Sequence, residues 1–246
     1  MTPPTFVGLG LFVGFLVGLT GVGGGALMTP SLIFLGVEPL TAVGTDLLYA
    51  TVTRVFGVFF HGRKGRIRYD IATRLFAGSV PAIVLGGIIL REVDRNTLND
   101  NLTVLLGAIL VVSAILSLIK GEFRVPVSPR WAYVYILGFI VGLTVQFTSV
   151  GAGVIVSFAL MNVARLDPKD VVGVTITYGL ALSAFSFINY AGMGSVDYQL
   201  AGALILGAIP GVYLGTHVNR RADREKLKRV MNVIILLIGL FTLLGG

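Results

Sequence analysis

GLTGVGGGALMTP, residues 18–30, puts five glycines into thirteen positions of an otherwise unbroken apolar run. Each glycine costs a helix about 1 kcal/mol relative to alanine, so a cluster of them interrupts a helix that the flanking residues would continue. The flanks identify the setting. Hydrophobic residues fill 55% of the 246 positions and charged residues only 13%, with a mean hydropathy of +0.90, far from the composition of soluble domains. Apolar runs of about 20 residues, enough to cross roughly 30 Å of hydrocarbon as helix, recur along the chain. None alternates polar with apolar residues as a membrane strand does. The sequence therefore predicts an all-α polytopic membrane protein embedded in the lipid bilayer.

Full-length spans are predicted at 5–20, 40–60, 70–90, 101–119, 131–149, 170–190, 197–216 and 228–245, with shorter apolar pieces at 25–36 and 151–163. Each short piece follows a glycine-rich break and is too short to cross a bilayer as a straight helix. The two breaks read as copies: GFLVGLT at 14–20 returns as GFIVGLT at 138–144, and VGGGAL at 22–27 as VGAGVI at 150–155. Beyond them Pro39, Gly44, Gly65, Tyr69, Pro81 and Gly86 match Pro168, Gly173, Gly194, Tyr198, Pro210 and Gly215 at a constant offset of 129. Half of the chain thus repeats the other half, as a first membrane repeat at 1–119, a linker at 120–130 and a second repeat at 131–246.

Loop charges relate the halves. HGRKGRIRY (61–69) carries four basic residues, and its counterpart AGMGSVD (191–197) none; REVDRNTLND (91–100) carries two, and THVNRRADREKLKR (216–229) six. Short basic loops stay in the cytoplasm, so equivalent loops fall on opposite sides and the repeats are expected to be inverted. Each short segment, with the long segment before it, returns the chain to the side it came from. Three further spans per half then place both termini outside and the linker KGEFRVPVSPR inside. The net charge of +7 belongs to these loops and does not point to nucleic acid. MTPPTFVG lacks the basic region of a cleavable signal peptide.

Inverted repeats with interrupted helices are an architecture of secondary transporters, which bind substrate near the midplane where broken helices expose backbone groups. A helix start carries partial positive charge suited to an anion, and glycine lets backbone N–H groups approach it. Gly23, Gly24 and Gly25, and Gly151 with Gly153, head a short helix in each repeat and are read as one anion site. The ladders Gly10, Gly14, Gly18 and Gly138, Gly142 are read as helix packing. In the apolar segments, Asp46 and Arg54 are costly to bury; at 1.5 Å per residue they lie about 12 Å apart along a helix, too far for a salt bridge. Arg54 either faces an anion or snorkels toward the basic loop. Asp46, nearer its helix end and open to partial hydration there, is a candidate for coupling a proton or cation. Gln146, Thr148 and Ser149 lie in an expansion at the second break, where the repeat offset changes from 124 to 128, and with Thr45 they are read as adding hydroxyl and amide donors to the anion site. Several of Thr175, Thr177, Tyr178, Ser183, Ser186 and Asn189 are expected to bond neighbouring helices.

GFLVGLTGVGGGALMTPSLIFLGVEPLTAVGTDLL, the HGRKGRIRYD loop and the degenerate second copy resemble the sulfite exporter (TauE/SafE) family over essentially the whole chain. The resemblance implies transport of sulfite, an organosulfonate or a related small organic anion across a prokaryotic cytoplasmic membrane. Gly23, Gly24, Gly25 and Thr45 match its motif. Asp46 stands where the resemblance leads one to expect a small polar residue, usually Ser, and Arg54 where it implies a small or apolar one.

An enzyme is not expected. The two histidines, His61 and His217, sit at helix ends, no G-x-S-x-G elbow occurs, and with zero cysteines no thiolate nucleophile or Cys-ligated metal can form. No pattern calls for a cofactor or metal. A passive anion channel, or a carrier for a carboxylate without sulfur, remains the alternative, distinguished by unitary currents or by substrate preference. A homodimer is compatible with the sequence, which does not specify the anion or the direction of transport.

Overall fold

Residues 3–20, 25–61, 68–118, 131–162, 166–219 and 224–244 are described by the structure, a computed structural model. They form ten α-helices: α1 (Pro3–Thr20), α2 (Gly25–Phe34), α3 (Pro39–His61), α4 (Tyr69–Glu92), α5 (Arg95–Leu118), α6 (Trp131–Thr148), α7 (Val154–Asn162), α8 (Pro168–Gly192), α9 (Tyr198–Asn219) and α10 (Arg224–Leu244). No strand occurs among the described residues.

The helices follow the predicted segments closely, with one instructive difference. α5 begins at Arg95 rather than 101, because Asp94 accepts the N–H groups of Asn96 and Thr97 at 3.1 and 3.4 Å. That cap satisfies orphan donors at a helix start and recruits the polar RNTLND stretch into the helix.

Five helices are long and apolar enough to cross a membrane: α4, α5, α6, and the stretches Asp170–Gly192 of α8 and Tyr198–Gly215 of α9. α3 has 23 residues, also sufficient length. By contrast α2 has 10 residues and α7 has 9, about 15 Å at 1.5 Å per residue, and each ends partway. Val84, Ile88, Ile136, Ile188, Leu206 and Leu237 are exposed; an all-helical surface studded with such side chains suits lipid, since helices satisfy their own backbone groups.

Glycine seams set the packing. α1 runs parallel to α9: Gly10, Gly14 and Gly18 face the backbone of Leu204, Ala208 and Val212 in order, and Gly207, Gly211 and Gly215 face Val7, Leu11 and Phe15 in return. A Cβ at any of the six would strike backbone atoms, so here glycine serves close approach. α4 and α6 are joined similarly, Gly78 against Tyr135 and Gly138 against Leu75. The Ser79 hydroxyl adds a bond to Gly138 O at 2.7 Å and lies 2.7 Å from the Tyr178 hydroxyl of α8. α3 and α8 cross antiparallel, with Gly44 against Tyr190, Thr51 donating to Ser183 Oγ at 3.1 Å, and Arg54 over Gly179.

Helix contacts recur in counterpart pairs. α1 on α9 answers α6 on α4, α2 on α3 answers α7 on α8, and α3 on α9 answers α8 on α4. α3 with α8, and α5 with α10, join counterparts directly. One buried apolar cluster includes Leu75, Val141 and Leu182, and a second includes Val13, Met28, Leu204 and Met231.

Candidate functional site

The second break is built by a hydroxyl and two left-handed residues. At the end of α6 the Thr148 hydroxyl donates to Thr144 O at 2.6 Å and accepts the Val150 N–H at 3.3 Å. Ser149 then adopts φ 59° and Gly151 φ 111°. Glycine takes that conformation freely, whereas in serine it costs of order 1–3 kcal/mol and must be held by its surroundings. Surroundings are present: Gly25, the first residue of α2, packs on the Ser149 carbonyl so closely that a Cβ would collide with it. The start of the first short helix therefore meets the second break.

Their junction lines a cleft. Its walls are Gly25 and Ala26 of α2, Arg54 of α3, and Ser149, Val150, Gly151, Ala152, Gly153 and Val154. α2 and α7 both begin on it, and a helix start leaves N–H groups without intrahelical partners. Arg54 reaches across to α8 rather than along its own helix toward the basic loop: its Nη1 donates to Gly179 O at 2.8 Å. Among the described residues no carboxylate pairs with it. A guanidinium carries five N–H donors, so the bond to Gly179 leaves most of the fork uncommitted to that carbonyl.

Five of the residues singled out from sequence thus line one cleft: Gly25, Arg54, Ser149, Gly151 and Gly153. Others lie apart from it. Thr45 is fully buried and accepts the Asp197 N–H at 3.0 Å, tying α3 to the turn before α9. Thr148 is committed to the α6 terminus, as above. Gln146 is buried against Gly86, and neither end of its amide has a hydrogen-bond partner. Gly23 and Gly24 lie outside the described residues, as do 62–67, 120–130 and 220–223 of the loops and linker used to argue topology.

Asp46 differs from its sequence expectation. Instead of a partly hydrated helix end it is fully buried, because α2 folds over it: the Thr29 hydroxyl donates to Oδ2 at 2.5 Å. Thr29 is a residue the sequence reading missed. Its signal was its place one turn after Gly25, on the same face of a helix. Tyr190, whose hydroxyl donates to Gln146 O at 2.8 Å, had no such signal. Of the α8 hydroxyls and amides, Ser183 receives the Thr51 bond and Asn189 donates to Ile83 O at 3.2 Å. Thr175 bonds within its own helix to Val171 O at 2.9 Å, while Thr177 and Ser186 have buried hydroxyls without partners.

The chain is 37% identical over 244 residues to the probable membrane transporter protein YjnA of Bacillus subtilis, covering 94% of this chain and 96% of that one. A probable membrane transporter protein of Xylella fastidiosa is 27% identical over 251 residues, covering 96% and 93%. A second Bacillus subtilis protein, the probable membrane transporter protein YunE, is 24% identical over 260 residues, covering 94% and 93%. No solved structure matches. The profile of the family described as Sulfite exporter TauE/SafE matches residues 6–242, so this polytopic helical chain belongs to that family of membrane transporters.

Proposed function

We propose that the protein is a secondary carrier for a small sulfur-containing anion, sulfite or an organosulfonate, bound in the cleft between the second break and the start of α2. One observation carries the reading: Arg54 lines that cleft with no carboxylate in salt-bridge contact among the described residues, Asp46 on the same helix acting on it only at longer range. A cation at membrane depth is expensive unless compensated, and a bound anion is the compensation. The planar guanidinium suits two oxygens of one sulfite or sulfonate group, and the two helix starts add dipolar attraction. Sulfur enters through the family description.

Alternating access follows from two inverted repeats rocking about a fixed site. The reading is supported by the counterpart helix contacts, by the parallel pairs α1–α9 and α6–α4, and by the antiparallel crossing of α3 and α8. In this arrangement the termini face outward from a prokaryotic cytoplasmic membrane, and loops 61–69, 120–130 and 216–229 face the cytoplasm. Ser195 in loop 191–197 is itself buried, so the thiol is placed at exposed Gln199 beside it: Gln199→Cys should react with an impermeant reagent from outside and Lys64→Cys should not; the reverse pattern sinks the topology.

Transport is tested in proteoliposomes with sulfite, methanesulfonate and acetate. Saturable uptake and counterflow of the sulfur anions are expected. Unitary currents without counterflow would make the protein a channel, and preference for acetate would move the substrate to carboxylates. With free anion about 100-fold above its dissociation constant, binding should stabilise the protein by roughly 2.7 kcal/mol.

A further inference from the structure

We propose that Asp46 is the binding site of a transported proton, and that α2 links its occupancy to that of the anion, making the protein an anion–proton symporter. This rests on the cleft being the anion site.

The Asp46 carboxyl is fully buried, and its two oxygens are treated unequally. Oδ2 accepts the Thr29 hydroxyl, while Oδ1 has no hydrogen-bond partner. The Ser149 hydroxyl, also buried, is near enough to act on the Asp46 carboxyl but makes no hydrogen bond of good geometry to it or to any other group. These groups converge on Gly25: a Cβ there would lie 3.3 Å from Asp46 Oδ2 and collide with the Ser149 carbonyl. The charged or titratable neighbours facing Asp46 are Arg54 and Tyr49, both on its own helix. α2 and the second break bring only the Thr29 and Ser149 hydroxyls, and α5, α8 and α9, also packed on α3, bring no further charge to it among the described residues. Arg54 is turned to Gly179. A bare carboxylate with an unsatisfied oxygen is poorly held in an apolar interior. A proton on Oδ1 removes the charge and makes that oxygen a donor.

The first turn of α2 stands between the two sites. Gly25 and Ala26 face the cleft, and Thr29, one turn on, holds the carboxyl. An anion in the cleft and an ionised Asp46 repel one another across this turn, whereas an anion and a protonated Asp46 do not. Coupling of this kind is reciprocal: the proton tightens the anion and the anion tightens the proton. One anion and one proton bind from the water on the open side; both leave on the other, and Asp46 returns to the carboxylate.

Sulfite changes its own protonation near neutral pH, so the probe is methanesulfonate, which stays ionised. In proteoliposomes holding a pH-sensitive dye, inward methanesulfonate flux through the parent protein should acidify the lumen, and external acid should speed uptake. Affinity should rise about tenfold per pH unit lowered while Asp46 is ionised in the anion-free protein. Asp46→Asn should keep methanesulfonate exchange at equal pH on both sides and lose both effects; Thr29→Val, which retains the carboxyl, should keep lumenal acidification. Methanesulfonate influx through the parent without acidification, or driven by a sodium gradient instead, overturns the proton site and leaves the anion site standing, a measurement that requires no variant. Persistence of acidification in Asp46→Asn also overturns it. Absence of any anion exchange in the parent removes the anion site and this inference together.

Discussion

Helices α3 and α8 occupy counterpart positions in the repeat and cross each other antiparallel, yet their middle stretches carry different chemistry. Asp46 corresponds to Thr175 and Arg54 to Ser183 at the offset of 129. On α3 the carboxylate and guanidinium make contacts to other elements, Thr29 of α2 and Gly179 of α8. On α8 the Thr175 hydroxyl returns to its own backbone, and Ser183 receives the hydroxyl of Thr51 at 3.1 Å. At these corresponding positions only α3 carries ionisable side chains, and α8 carries hydroxyls. The lesson is that architecture and chemistry are separable here: related folds in the two halves, with the cost of buried charge confined to one.

Five substitutions test that division. The largest effect is expected from Arg54→Gln, which should weaken sulfite binding by about 10–100-fold, the range for losing a charged hydrogen-bonding group. Isothermal calorimetry on folded protein measures it, and unchanged affinity would return Arg54 to a packing role. Arg54→Lys, tested alongside, should retain part of the affinity, because the charge survives and the planar fork does not.

Next is Thr29→Val, which strips the buried carboxyl of its donor and should cost about 1–3 kcal/mol of stability, read as a lowered thermal midpoint in detergent. Ser183→Ala, at the neutral counterpart of Arg54, should cost about 0.5–1.5 kcal/mol with sulfite affinity intact. A loss of affinity there comparable with Arg54→Gln would mean that α8 furnishes the site as well as α3. Smallest is Thr175→Ala, the counterpart of Asp46; its hydroxyl only doubles a bond to a helical carbonyl, so stability and transport should stay within about 0.5 kcal/mol and error of the parent.

Much of the fold was legible because the bilayer imposes length and apolarity on every span. The glycine ladders were legible too, their spacing of four residues being a packing signal by itself. The partner of each ladder was not: nothing in Gly10, Gly14 and Gly18 says that α9 lies against them, since partner choice depends on surface fit across distant segments. In the site, the glycines of the second break and Arg54 stood out as anomalies in apolar sequence, and the cleft does include them. Thr45 and Thr148 looked equally suitable as donors, yet their hydroxyls bond the Asp197 and Val150 N–H groups. A hydroxyl's partner is set by the local backbone, which one-dimensional spacing does not reveal.

The seam between α1 and α9 has a consequence for how the protein is made. Gly10 meets Leu204 and Gly18 meets Val212, so α1 leaves the ribosome with its main mate about 190 residues behind it. At about 5–20 residues per second that interval lasts roughly 10–40 s. Throughout it α1 sits in the membrane with a glycine groove unfilled. α6, by contrast, emerges after its mate α4 and docks on a surface already in place. The seam between α4 and α6 can therefore form well before the seam between α1 and α9.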